Sequence, residues 1–135
     1  MIKARLSKLQ EYLKILKNIS GYTLNEFKSN PERYGSAERF LQLAIECCLD
    51  MGSHIIASEG FRKPEDYADI FRVLGENKVI PEEFVPQLVA MARFRNLLVH
   101  IYMIIDLDKV YDILTNNLTD LEKFAKYILE YIKNK

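Results

Sequence analysis

Apolar residues recur at steps of three and four near the start of the chain, which is the spacing of one face of an α-helix. The stripe consists of Ile2, Leu6, Leu9, Leu13, Leu16 and Ile19. Gly21 follows it, and glycine is the residue type that most often ends a helix. The pattern predicts a first helix, followed by a polar stretch over residues 23–35 in which Asn30-Pro31 marks a turn.

A second helix is predicted over residues 36–58, ahead of Gly60. Its apolar side chains cover much of the helix circumference, and a helix that is apolar on more than one side is buried on more than one side. In a small bundle this favours a second partner surface, most simply another copy of the chain. The apolar positions are Phe40, Leu41, Leu43, Ala44, Ile45, Cys47, Cys48, Leu49, Met51, Ile55 and Ile56.

Three helices are predicted in the second half of the chain. A short helix over residues 64–74 is followed by one that Pro81 is placed to open, since proline suits the first helical turn. The last helix begins near Asp106 or Asp108. Only residues 99–105 have a strand-like pattern. We therefore expect an all-α fold, a four- to five-helix up-down bundle that forms a single domain over residues 1–135.

Composition narrows the function classes. The 135 residues are 49% hydrophobic, enough for one domain with a core, and 19 Lys and Arg balance 19 Asp and Glu. Zero net charge excludes a strongly basic coat for non-specific nucleic-acid binding, although not a local basic patch. Adjacent Cys47 and Cys48 fit neither a disulfide framework nor a zinc site. Without a signal-peptide block or a run long enough for a bilayer, we expect a cytoplasmic protein with no membrane association.

One segment interrupts the apolar pattern with four chemically active side chains. Arg95, Asn96, His100 and Tyr102 fall within eight residues that otherwise resemble core. Arg95 lies three residues after Ala92 on the apolar stripe, and burying an unpaired arginine is expensive, so it must face a partner, a cleft or an interface. Each of the four taken alone is more often an ordinary structural residue, and only their combination favours a functional site.

The spacing of Arg95 and His100 constrains that site. Five residues correspond to ~500° of helix rotation, which leaves the two side chains ~140° out of phase. Either the helix ends between them or a second chain completes the site. The β-branched and aromatic residues that follow favour an ending at this point.

A second polar cluster lies on the second helix. Glu46, Asp50 and His54 are spaced by fours and therefore share one face. They can form a supporting layer that orients Arg95 or His100, or simply a partly exposed polar stripe. We disfavour a metal site there, because a fourth ligand is missing.

The segment from Arg95 to Tyr102, Arg-Asn-Leu-Leu-Val-His-Ile-Tyr, resembles the signature of the HEPN superfamily. That signature is an arginine, a polar residue, three other residues, a histidine, any residue and a tyrosine. More narrowly, the chain is similar to HepT-type toxins in its length, its helix order and the run over residues 44–56. The resemblance covers nearly the whole chain.

The resemblance implies a ribonuclease toxin that needs neither metal nor cofactor. It implies a homodimer with two motifs facing each other across a cleft, Arg95 and His100 as catalytic residues and Asn96 as a substrate-orienting residue. It further implies a minimal nucleotidyltransferase as antitoxin, which transfers AMP from ATP to Tyr102. RNA, either messenger or transfer, is the expected substrate, and DNA is not expected as a partner. The alternative is a non-catalytic helical adaptor that binds a nucleotidyltransferase and completes its substrate site.

The expected chemistry is compatible with these side chains. RNA supplies its own nucleophile, the 2′-hydroxyl, so no metal-bound water is required. Histidine can exchange a proton near neutral pH, and arginine can hold a phosphate with two hydrogen bonds. We therefore expect products with a 2′,3′-cyclic phosphate and a 5′-hydroxyl.

Overall fold

The computed structural model describes residues 1–100 and 105–135, and within these ranges the secondary structure is entirely helical. The helices are α1 (Ile2–Ile19), α2 (Leu24–Lys28), α3 (Pro31–Glu59), α4 (Tyr67–Glu76), α5 (Val85–Val99), α6 (Leu107–Asn116) and α7 (Leu118–Lys133). A 3₁₀ turn, Glu82–Phe84, leads into α5. The all-α prediction is confirmed. Most of the strand-like segment over residues 99–105 lies outside the described residues.

The polar stretch after α1 contains a helix that the apolar pattern did not reveal. The Thr23 hydroxyl accepts a hydrogen bond from the Glu26 backbone N–H at 3.2 Å, and the Glu26 carboxylate accepts one from the Thr23 N–H at 2.9 Å. This reciprocal capping box starts α2. Asn30 then caps α3, so that α3 begins at Pro31 rather than at the predicted Ser36.

The predicted last helix is two helices. Asp106 caps α6, where its carboxylate accepts hydrogen bonds from the backbone of Asp108 and Lys109. Asn117 separates α6 from α7, consistent with the low helix propensity of consecutive asparagines. This break and the short α2 account for the seven helices within residues 1–100 and 105–135, where four to five were expected.

Helix α3 is the centre of the bundle. It contacts α1 most extensively and also packs against α4, α5 and α7. Its buried residues, which include Leu41, Ile45, Cys48 and Met51, belong to one continuous apolar cluster. Most of the apolar circumference of α3 is thus covered within one chain, while Phe40 and Leu43 are only partly buried. The second partner surface on this helix stays a prediction.

The two cysteines, Cys47 and Cys48, are free and buried. Burial raises the pKa of both thiols, because a thiolate is poorly solvated in the core. Both side chains therefore remain protonated and behave as small apolar residues.

Helix α3 also has the length and apolar composition of a membrane-spanning helix, alone among the described residues. However, 56% of its most apolar window is buried within the protein. A central core helix passes the same test of length and composition, so the feature is explained by its position in the bundle.

Candidate active site

Arg95 of α5 is paired with Glu46 in the middle of α3. The Nε and Nη2 atoms of Arg95 donate to the Oε2 atom of Glu46 at 3.0 and 2.5 Å. Gln42, one turn earlier on α3, donates to the same oxygen at 3.2 Å. The Arg95 and Glu46 side chains are only 17% and 28% exposed. The sequence required Arg95 to face a partner, a cleft or an interface, and within one chain it is paired with Glu46.

The remaining surface of the Arg95 guanidinium faces Asn96 and Tyr67. Its Nη1 donates to the Asn96 side-chain oxygen at 3.3 Å, and its Cζ lies 5.0 Å from the centre of the Tyr67 ring, within cation–π range. A guanidinium has five N–H donors. Since three are used in these contacts, two remain to hold an anionic ligand, as far as the described residues go.

His100 directly follows the end of α5. Its backbone is extended, with φ −88° and ψ 93°, and its N–H still donates to the Leu97 carbonyl at 3.3 Å. The helix thus ends between Arg95 and His100, one of the two arrangements that their spacing allowed. His100 is half-buried. Tyr102 lies outside the described residues.

Asp50 and His54 do not join Arg95 within one chain. The Asp50 carboxylate lies 3.4 Å from Nε of Arg5 on α1, and both side chains are about half exposed. His54 is exposed and lines a hollow with Met1 and Lys135, where the two chain termini meet. Although the three polar residues of α3 share a face, only Glu46 is level with Arg95. Within one chain, neither Asp50 nor His54 contacts Arg95 among the described residues. Their supporting role stays a prediction.

Metal ligands are not grouped in this region. Within residues 1–100 and 105–135, no cluster of three or more His, Cys, Asp or Glu side chains is arranged to hold an ion. Glu46 and Asp50 are instead engaged by arginines from α5 and α1.

An ion-pair network beside the site was not anticipated from the sequence. Arg62 donates to both carboxylate oxygens of Asp69, at 2.8 and 3.1 Å, and also binds Glu76. The Glu65 backbone N–H donates to Asp69 as well. These hydrogen bonds hold the pKa of the buried Asp69 well below its ordinary value, and those from Arg62 have the largest effect. The network fastens the segment after α3 to α4 and so positions Tyr67. Arg62 lies before α4 and Asp69 lies within it, and no sequence spacing predicts that they pair. The pairing could be identified only from the structure.

Residues 9–128, which include the contacts of Arg95 with Glu46, Asn96 and Tyr67, match the family described as Ribonuclease HepT-like. The chain belongs to this family. The resemblance stated from the Arg95–Tyr102 segment is thereby confirmed.

Two HepT-like relatives are nucleases with different RNA classes in their names. The tRNA nuclease HepT of Aphanizomenon flos-aquae is 27% identical over 132 residues, which cover 98% of this chain and 90% of that protein. The mRNA nuclease HepT of Shewanella oneidensis is 30% identical over 104 residues, which cover 77% of this chain and 78% of that protein.

A solved structure gives the same fold. It is the tri-AMPylated Shewanella oneidensis HEPN toxin in complex with MNT antitoxin, which superposes with a TM-score of 0.88 at 26% identity. The match covers 96% of this chain and 96% of the other. The HEPN-like fold class is therefore confirmed over nearly the full length.

Proposed function

We propose that this HepT-like chain is the ribonuclease toxin of a toxin–antitoxin pair and cleaves RNA without a metal ion. The observation that carries the proposal is a fixed arginine, Arg95, with unused N–H donors, on a helix that ends four residues later at Val99, directly before His100. The named activities of the two nuclease relatives support the same reaction class. Since one acts on tRNA and the other on mRNA, both remain candidate substrates.

In the proposed reaction the 2′-oxygen of the RNA attacks the adjacent phosphorus. The bond from phosphorus to the 5′-oxygen breaks, which leaves a 2′,3′-cyclic phosphate and a 5′-hydroxyl. His100 accepts the proton of the 2′-hydroxyl, and a protonated imidazole gives a proton to the leaving 5′-oxygen. The two spare N–H groups of Arg95 hold the phosphate and stabilise the charge that develops on its oxygens.

A homodimer completes this scheme, because it supplies two copies of His100 to one cleft. One imidazole can then act as base while the other acts as acid. Asn96 accepts a hydrogen bond from Arg95, so it steadies the guanidinium from the side opposite Glu46. Residues 1–135 form the single domain of each protomer in this proposal.

The antitoxin in this proposal is a minimal nucleotidyltransferase that transfers AMP to Tyr102. The AMPylated state of the Shewanella toxin in its complex with MNT antitoxin supports this kind of control. Tyr102 is two residues from His100 in sequence. An attached AMP adds bulk and negative charge where the RNA phosphate must bind, and it therefore inhibits by occlusion and repulsion. The buried, reduced thiols are compatible with action in the cytoplasm.

The decisive experiment compares the wild type with His100→Ala and Arg95→Ala in cells and in vitro. We expect growth arrest from the wild type only, while circular dichroism shows that all three proteins are folded. Purified wild type should cleave RNA in the presence of EDTA and leave cyclic phosphate ends. Equal toxicity of all three proteins contradicts the nuclease proposal. Products with a 3′-hydroxyl contradict the proposed chemistry.

The same comparison tests the adaptor alternative. An adaptor needs neither Arg95 nor His100 in a cleft that RNA can reach. Binding of a nucleotidyltransferase without any RNA cleavage, unchanged by either substitution, favours the adaptor.

A further inference from the structure

An apolar groove lies next to Arg95, on the far side of Tyr67. It is a cavity of about 610 Å³ between the end of α3, the segment over residues 60–66 and the start of α4. Its volume is in the range of sites that bind small organic ligands. The apolar part of its lining consists of Ile56, Ala57, Phe61, Pro64, Tyr67 and Ile70.

Tyr67 joins this groove to the candidate active site. Its ring lines the groove, and the same ring contacts the Arg95 guanidinium at 5.0 Å. The Tyr67 side chain is unusually open for a large apolar group, with 51% exposure. A ligand in the groove is therefore separated from a phosphate on Arg95 by a single aromatic ring.

We propose that this groove, defined by Tyr67 and Phe61, binds the nucleobase next to the RNA phosphate that is cleaved. The inference rests on the proposed ribonuclease function and adds its substrate-recognition site. Bases of single-stranded RNA are recognised by stacking on aromatic side chains, and each stacked base contributes substantially to affinity. A groove one ring away from the phosphate-binding arginine is in the right place for the adjoining nucleotide.

The charges at the rim favour a base over a second phosphate. Glu65 and Asp66 line the groove together with one cation, Lys63. Two carboxylates repel a phosphate, and their oxygens other than the Asp66 Oδ1 that caps α4 can accept hydrogen bonds from the amino group of a base. Continuity with Arg95 favours RNA over an apolar side chain from another protein, because RNA supplies the phosphate and the base in adjoining positions.

The test is an abasic scan of a short single-stranded RNA with one mapped cleavage site. The base is removed from each nucleotide in turn, and kcat and KM are measured with the wild-type protein. We expect removal of one base next to the cleaved bond to raise KM about 10-fold, with a smaller change in kcat. Tyr67→Phe should preserve this effect, and Tyr67→Ala should remove it.

A second variant blocks the groove without altering Tyr67. Ala57→Trp places an indole in the space proposed for the base, so KM for intact RNA should rise and the abasic substitution should have no further effect. Ala4→Trp is the matched control, since it makes the same change at another exposed helical alanine, away from the groove. This control should behave as the wild type.

The outcomes separate the two proposals. If the RNA is cleaved but every abasic position behaves alike, the base site is wrong and the nuclease function stands. If no RNA is cleaved, both are wrong. If Ala57→Trp changes the mass of the particle in sedimentation and abolishes cleavage of every substrate alike, the groove is covered by a second copy of the chain, which also overturns the base site.

Discussion

Glu46 holds one whole edge of the Arg95 guanidinium with a single carboxylate oxygen. That oxygen accepts from Nε and Nη2 of Arg95 and also from Gln42. Because the guanidinium is planar and rigid, a fixed edge determines the direction of its remaining N–H groups. Donors that are already aimed at the developing charge need no reorganisation during the reaction. In the proposed reaction, Glu46 is therefore a positioning residue that acts through Arg95.

Glu46→Ala should lower kcat for RNA cleavage by roughly 10- to 100-fold, because small misplacements of a catalytic group have effects of this size. KM should change less, and Glu46→Gln should retain part of the activity because its amide oxygen can still accept. Glu59→Ala is the matched control, on the same helix and also paired with a cation, with 22% exposure against 28% for Glu46. Steady-state measurement of kcat and KM on the folded variants tests this prediction, and Glu59→Ala should behave as the wild type. A change in KM alone contradicts positioning.

Part of this site can be predicted from the sequence, because burying an unpaired charge costs free energy. Arg95 falls on an apolar stripe, so it had to face a partner, a cleft or an interface. Its spacing from His100 required that the helix end between the two residues or that a second chain complete the site. Which residue of α3 pairs with Arg95 could not be predicted. Glu46, Asp50 and His54 lie one turn apart on the same face of α3, so the sequence does not distinguish them as partners of Arg95. Glu46 is the partner because α5 crosses α3 at its level.

The fold shows the same division between local and tertiary information. The long apolar stripe of α1 sets its bounds, Ile2–Ile19, without help from the rest of the chain. The short α2 contains one buried residue, Phe27, so it has no repeating apolar pattern from which a helix could be predicted. The contact of Tyr67 with Arg95 depends on how α4 meets α5, and no motif encodes it.

Tyr102→Phe should preserve RNA cleavage and toxicity but prevent transfer of AMP by the nucleotidyltransferase. The ring remains, whereas the hydroxyl that would attack the ATP α-phosphate is gone. Intact-mass measurement after incubation with ATP and the partner enzyme should show added AMP on the wild type and on Tyr111→Phe, but not on Tyr102→Phe. Tyr111→Phe is the control, since its hydroxyl donates to the Tyr22 carbonyl and so has a structural role. Full neutralisation of Tyr102→Phe through AMP transfer contradicts the assignment.

Asp69→Asn should lower the free energy of unfolding by about 1–2 kcal/mol at neutral pH, because a buried acceptor for Arg62 is weakened. The pKa of Asp69 is depressed by folding, so its contribution is complete above its ordinary pKa of 3.8 and is lost as pH falls below that value. The difference between variant and wild type should thus be constant from neutral to mildly acid pH and shrink at lower pH. Urea unfolding at several pH values measures it.

Asp108→Asn provides the comparison for that series. Asp108 is 62% exposed and pairs with Lys28 at the surface, where ion pairs contribute little. Its substitution should change stability by less than about 0.5 kcal/mol at every pH. An Asp69 effect that does not diminish in acid shows that the ionised carboxylate is not its source.

Gly52→Ala should destabilise the protein, whereas Gly35→Ala on the same helix should stabilise it. A methyl group on Gly52 would lie 2.7 Å from Cγ2 of Ile70 and 3.0 Å from Leu74, both in the face of α4 that packs on α3. Gly35 has open space at the same position, so alanine there adds only its better helix propensity, about 0.5–1 kcal/mol. Overpacking at Gly52 outweighs that gain by about 1 kcal/mol.

The pair of glycine variants also bears on the site, because α4 begins with Tyr67. If α4 moves away to admit the new methyl group, the Tyr67 ring moves with it and its contact with Arg95 weakens. Gly52→Ala should then raise KM for RNA and lower the urea midpoint of unfolding. Gly35→Ala should raise the urea midpoint and leave KM for RNA unchanged. Equal stability of the two variants shows instead that the spacing of α3 and α4 adjusts freely to the added methyl group.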